Sequence, residues 1–201
     1  MALYRRLDGH GTGPPLCFNG SMSLSPALAR VEREFQDAQI RAQRLVESVS
    51  EDQWNRKPGD GGWSVAECIT HLNLTNQAYL PFVREAIGRG KRDRPSVYRL
   101  DIVGWLLYRI TEPPAGRFKS KTAPGFSPAA VADRSSTLQS FNQLQGKLLD
   151  ELHAADGLNL GRLKIASPFN RRVRYNLYSC FRILAAHERR HLWQAEQVRS
   201  R

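Results

Sequence analysis

Leu184-Ala185-Ala186-His187-Glu188-Arg189-Arg190-His191-Leu192-Trp193-Gln194 is the stretch on which the reading of this chain turns. On a helix, residues four apart stand one turn apart on one face, so His187 and His191 can hold a single metal ion together. As a bare pattern, His-Glu-x-x-His is the zinc-protease signature. That reading needs a third ligand, usually downstream, and a strand to position the peptide. Only ten residues follow His191, and the sole acid among them, Glu196, lies five positions on and off the shared face. The two histidines therefore look for their partner elsewhere in the chain.

Working outward, the last helix begins near Tyr175 and places Leu177, Cys180, Leu184, His187, His191, Gln194 and Val198 on one face, so both histidines belong to its buried stripe. At the other end, Ser25-Pro26 is a helix start, with serine as cap and proline at the first helical position. Leu28, Val31, Phe35, Ala38, Ala42, Leu45 and Val49 then follow at spacings of three and four, predicting one long amphipathic helix that ends around Ser50-Glu51-Asp52. After a turn-rich segment, Ser64 and Glu67 stand at capping-box spacing, and Trp63 can staple onto Cys68. The inward face of this second helix runs through Cys68, His71, Leu72, Thr75, Ala78, Tyr79 and Phe82, with Pro81 expected to bend or break it near Leu80. Ser127-Pro128 repeats the start signal for a third helix marked by Val131, Leu138, Phe141, Leu144, Leu148 and Leu152.

No segment shows convincing alternation of period two. The expected class is all-α: four principal helices in an antiparallel-type bundle, with a short accessory helix formed by the apolar piece Tyr98 to Ile110 in the linker between the second and third. That linker, residues 91 to 126, is where substrate contacts are expected. Residues 1–24, with Gly9, Gly11, Gly13, Pro14 and Pro15, are read as a disordered arm, and residues 25–199 as one bundle domain. Met22, just ahead of the first helix, is a candidate initiator.

At 201 residues and 41% hydrophobic composition the chain suits one domain with a real core. No apolar run approaches the roughly 20 residues that span a bilayer, and no signal-peptide core follows the N-terminus. The three cysteines, Cys17, Cys68 and Cys180, are odd in number and far apart, which suits thiols in a reducing, cytoplasmic compartment. A formal charge of +11 attracts anions. The arginines are nevertheless spread over helices and loops without a recognisable nucleic-acid module, so a solvated basic surface or an anionic small ligand fits better than a polynucleotide.

His71 points inward and makes the third member of a set. Burying three imidazoles in one bundle leaves several ring nitrogens to satisfy, and a divalent ion satisfies three at once. Three protein nitrogens with a fourth position open is the pattern of catalytic zinc. Glu188 is a candidate general base, set against a plainer reading as a flank charge paired with nearby arginines. Glu67 reads as the capping residue, Cys68 and Cys180 as small core residues, and Trp63 and Trp193 as packing anchors.

Trp63-Ser64-Val65-Ala66-Glu67-x-x-Thr70-His71-Leu72 resembles the helix-two signature of the DinB/YfiT-like superfamily, and Ala186-His187-Glu188-Arg189-Arg190-His191-Leu192-Trp193-Gln194 its helix-four signature. The segment Pro113-Pro114-x-x-Arg117-x-Lys119 to Phe126-x-Pro128 is similar to the linker of the DinB-like subgroup, so the resemblance runs from about Leu24 to Arg199. It implies a four-helix bundle with up-down-down-up connections, a divalent metal on His71, His187 and His191, and frequent homodimers. Members with assigned activity include thiol S-transferases and thiol-dependent isomerases that use bacillithiol, mycothiol or glutathione, while many have no assigned reaction.

The function this implies is transfer of a low-molecular-weight thiol to a small-molecule electrophile at a three-histidine site, with zinc or nickel foremost among the metals imidazole suits. The alternatives are a metal-dependent hydrolase using bound water, and a non-catalytic basic bundle that binds metal or nucleic acid.

Overall fold

The computed structural model describes residues 24–59, 61–93, 97–114, 122–123, 125–128 and 131–199, and the arm expected over residues 1–24 lies, but for Leu24, outside them. The described chain is mostly helical, with one small sheet. Its elements are α1 (Pro26–Ser48), α2 (Glu51–Asn55), α3 (Val65–Gly88), α4 (Ile102–Thr111), α5 (Arg134–Ala154), the strands β1 (Lys164–Ser167) and β2 (Asn170–Asn176), and α6 (Leu177–Arg199). No described helix is long and apolar enough to cross a membrane.

Local signals account for most boundaries. Pro26 opens α1, and Val49 ends it in extended backbone. Ser50 then starts the short α2 through a capping box with Gln53, an element not expected from the sequence, and plants Trp54 in the core. The Ser64–Glu67 box opens α3 as expected.

Two boundaries correct the sequence reading. Helix α3 runs unbroken through Pro81. Both Pro81 and Gln77, whose carbonyl loses its amide partner, lie on the exposed face, where water can serve that carbonyl. Helix α5 begins at Arg134 rather than at Ser127-Pro128, because the Asp133 carboxylate caps it, accepting from the Ser136 amide 2.9 Å away and from its hydroxyl.

The sheet is the larger correction to an all-α expectation. Strands β1 and β2 pair antiparallel, Ile165 opposite Tyr175, with an irregularity at Ala166/Ser167 and the tip at Pro168-Phe169. Along β2, Val173 and Tyr175 face inward while Arg172 and Arg174 are exposed. This alternation is short, and its arginine-rich outer face lacks the apolar residues by which strands are usually recognised. The hairpin also delays α6, which starts at Leu177 rather than at Tyr175.

Helix α3 packs against α5 and α6, and α1 packs against the same two. Side-chain bonds mark the levels: Asn73 reaches the Thr137 carbonyl, and Arg84 reaches Glu151, between α3 and α5. Between α1 and α6, Glu34 meets Arg189 and Arg41 meets Glu196. Between α1 and α5, Glu32 meets His153, while Arg134 reaches the Val49 carbonyl. Helix α4 lies on α6 and β2, tied by Asp101, which caps the Gly104 amide and accepts from the Asn176 amide and Lys164. Its outer face is apolar and exposed, with Ile102 at 86% and Trp105 at 55%.

The interior is two apolar clusters rather than one. The first gathers Leu28, Phe35, Tyr79, Leu148, Tyr175 and Leu184, and the second Ala42, Trp54, Ile69, Leu72, Phe141 and Leu192. Between them in sequence on α3, α5 and α6 stand the buried polar residues Thr75, Asn76, Gln145 and Glu188. A polar layer thus divides the core, and the histidines lie beside it.

Candidate metal centre

His71 comes from α3, and His187 and His191 from successive turns of α6. The helices were expected to face these side chains inward, and they do: His71 is 2% exposed, His191 9%, and His187 half-buried. One ligand atom from each ring lies within 4.8 Å of the others. The rings converge, with centroids 5.0 Å apart for His71 and His187 and 4.5 Å for His71 and His191.

Hydrogen bonding sets the tautomer of one ring. Nδ1 of His71 lies 2.7 Å from the Phe126 carbonyl oxygen, which can only accept, so Nδ1 carries the proton. In the neutral ring Nε2 is then bare, and it faces Nε2 of His187 at 3.2 Å. If His187 donates across this gap, its own Nδ1, buried without a partner, is left an unsatisfied acceptor. If it does not, two lone pairs meet. A divalent ion resolves the second case, since two nitrogens on one tetrahedral zinc at about 2.0–2.1 Å stand roughly 3.3 Å apart. The residues present therefore fit such an ion, with the backbone carbonyl of Phe126 as the outer support that metal-binding histidines ordinarily require.

Electrostatics agree with this fit. Burial lowers the pKa of His71, and burial together with the neighbouring imidazoles and Arg190 holds His187 and His191 well below the ordinary histidine value. Neutral imidazole is the form that ligates.

Aromatic rings wall the group. Trp63, half-buried, lies 4.7 Å from His71 and stacks on His191 at 5.6 Å, a role beyond the packing anchor expected of it. Phe169 from the hairpin tip stands 6.3 Å from His187 and 4.1 Å from Phe126. Phe169 went unread because the strands around it did. Phe126 belonged to the quoted linker segment, but its contribution is a main-chain carbonyl, which side-chain reasoning does not reveal.

Glu188 corrects the plainer of its two readings. It is not on the helix flank with the arginines but is 0% exposed, its Oε1 accepting from Asn76 Nδ2 at 2.8 Å and from Gln145 Nε2 at 2.5 Å. Burial, only partly offset by these amides, raises its pKa to about 7. Gln145 stands four after Phe141 and three before Leu148 on the buried stripe of α5, where an amide is out of place, so its partnership was signalled in the sequence though not read. The arginines pair otherwise, Arg189 with Glu34 and Glu112, while Arg190 reaches the Ile110 carbonyl. Glu196, discounted as a ligand, pairs with Arg41.

Glu67 is the capping residue and also meets Lys57 at 2.8 Å. Cys68 and Cys180 are buried in the core, and burial pushes the Cys68 thiol up to about 12. Neither is a ready thiolate. Cys17 lies outside the described residues.

A family model described as the DinB superfamily matches residues 34–195, a span that contains all three histidines. No curated protein and no solved structure matches the chain.

Proposed function

From the premise that this chain belongs to the DinB superfamily, we propose that it is a metal-dependent enzyme that transfers a low-molecular-weight thiol to a small electrophile at His71, His187 and His191. The observation that carries this reading is the bare Nε2 of His71 facing Nε2 of His187 at 3.2 Å, with His191 completing a set of three. Three neutral nitrogens leave a coordination position for a reactant, which a closed structural site would not.

The four long helices are read as a bundle with up-down-down-up connections. The levels of the side-chain bonds support this. From Asn73–Thr137 to Arg84–Glu151, α3 and α5 advance together; from Glu34–Arg189 to Arg41–Glu196, so do α1 and α6; Glu32–His153 and Val49–Arg134 run α1 against α5. Such a bundle brings ligands from α3 and α6 to one level of the interior.

When bound, a divalent ion supplies Lewis acidity that lowers the pKa of a coordinated thiol or water. The chain's own groups do the rest. The Phe126 carbonyl fixes the His71 tautomer and aims its Nε2. Trp63 and Phe169 cover the imidazoles and keep bulk water from them. Glu188, next to His187 in sequence, is anchored by Asn76 of α3 and Gln145 of α5, which pins the turn of α6 that carries the histidines.

The test is a screen of low-molecular-weight thiols against a chromogenic electrophile, with zinc or nickel added to metal-stripped protein. Electrophile consumption that needs both thiol and metal supports transfer. Metal-dependent consumption indifferent to thiol replaces transfer with hydrolysis, and no consumption with any thiol removes the reading.

A further inference from the structure

From Gly157 to His187 the chain carries six basic residues and no acid. Two of the six are engaged, Lys164 with Asp101 and Arg182 with Glu34 and the Tyr108 hydroxyl. Among the described residues, Arg171, Arg172 and Arg174 on β2 are exposed and form no ion pair. Arg30, Arg41, Arg84, Arg89 and Arg189 pair with carboxylates elsewhere, while among the described residues Arg33 and Arg44 on α1 are exposed without an ion pair, as the hairpin arginines are, so position rather than the lack of a partner sets the hairpin apart.

The position of these cations gives them meaning. The residue two before Arg171 is Phe169, whose ring borders His187. Strand side chains alternate, so Arg171, though exposed, leaves β2 on the side of Val173, and Arg172 and Arg174 leave it on the opposite side. Its guanidinium lies over the Phe82 ring of α3, 5.8 Å from the centroid, a contact that holds the cation against the protein. Phe82 stands eleven residues beyond His71 on the same helix, about 16 Å at 1.5 Å per residue. Tyr79 and Phe169, with rings 6.0 Å apart, lie between. The hairpin thus links the histidine centre at one end to a placed, unpaired guanidinium at the other.

We infer that the hairpin forms an anion subsite beside its tip, in which Arg171 receives a carboxylate or phosphate carried at the far end of a reactant whose reacting atom meets the histidines. This rests on the reading of the histidine centre as the reacting end. It narrows the reactant to acidic molecules long enough to bridge the two, on the order of 10–15 Å from reacting atom to anion. Guanidinium favours both oxyanions because its planar fork donates two parallel hydrogen bonds to them.

The test is binding of glutarate and of pyrophosphate to the full chain at low ionic strength, followed by the arginine Nε–Hε resonances. Saturable shifts at Arg171 are expected, and the tighter of the two probes identifies carboxylate or phosphate as the natural group. R171Q should bind the better probe at least tenfold more weakly, with R171K intermediate. R33Q removes the same charge from α1, and R172Q removes it from the opposite face of β2, and both should bind as the parent does. Equal losses in R171Q, R172Q and R33Q, or shifts spread over all arginines, would reduce the effect to general basicity and overturn the subsite. Metal content is measured on each variant. Anion binding that survives in protein unable to hold metal leaves the subsite standing and removes the metal-enzyme reading, whereas normal metal content with no shift at the hairpin does the reverse.

Discussion

Nε2 of His71 faces Nε2 of His187 across 3.2 Å while the Nδ1 of the same His71 ring is engaged by the Phe126 carbonyl. One residue therefore joins the linker to two of the long helices, and its loss should be felt first in metal content. Protein purified without chelators should contain close to one divalent ion per chain, and His71→Ala, His187→Ala and His191→Ala should each retain less than a tenth of it by elemental analysis. Zinc added at a thousandfold excess over its dissociation constant should stabilise the parent by about 4 kcal/mol against urea, and the variants not at all. A His71→Ala protein with full metal content would break the three-histidine assignment.

Glu188 predicts an unusual response to pH. Its carboxyl is raised from 4.5 to about 7 by burial in the fold. A group with a raised folded pKa contributes stability that is fully present below its unfolded value and is lost as pH rises through the folded one. In metal-free protein, Glu188→Gln should therefore gain stability relative to the parent between pH 5 and pH 9, by on the order of 2 kcal/mol. Comparing the two proteins cancels the histidines, whose depressed pKa values act oppositely and reduce stability as pH falls below about 6.5. Urea midpoints at the two pH values measure the difference, and parallel profiles would show that Glu188 carries no such shift.

What the sequence made legible follows from physical period. The stripe of α1, the capping box of Ser64 and Glu67, and the four-residue step from His187 to His191 each repeat the geometry of a helix, and each stands in the structure. The hairpin was hidden because one of its faces is arginine, and its inward positions, Val173 and Tyr175, are too few to establish a period. Glu188 was misplaced for a related reason. A carboxylate next to two arginines suggests an ion pair, but residue 188 points a third of a turn away from 187, toward Asn76 and Gln145, and only the assembled core shows that two amides wait there.

Gly104 tests the docking of the linker helix. A Cβ added there would meet Ser179 Oγ at 2.1 Å and Ser179 Cβ at 2.2 Å, so α4 can approach α6 this closely only over a glycine. Gly104→Ala should destabilise the protein by about 1–3 kcal/mol, because the clash involves a short buried side chain with little freedom to move. Adding Ser179→Gly to Gly104→Ala should recover part of that loss in thermal unfolding. Two additive losses would mean that the helices do not meet at this point.

Trp63 offers an optical reading of the centre. Its ring stacks on His191 at 5.6 Å and lies 4.7 Å from His71, closer to the candidate ligands than any other aromatic ring described around them. Trp54 is sealed in the second apolar cluster, Trp105 stands on the exposed face of α4, and Trp193, two residues beyond His191, leaves α6 on the opposite side from it. Nickel binding should quench a large part of the intrinsic fluorescence through Trp63. Trp63→Phe should abolish most of that quenching while changing the nickel affinity less than tenfold, since the indole covers the ligands without supplying one. Quenching that persisted in Trp63→Phe but vanished in Trp193→Phe would place the metal on the far side of α6, away from His71, and a loss of affinity in Trp63→Phe as large as that of His191→Ala would give Trp63 a structural share in holding the ligand set.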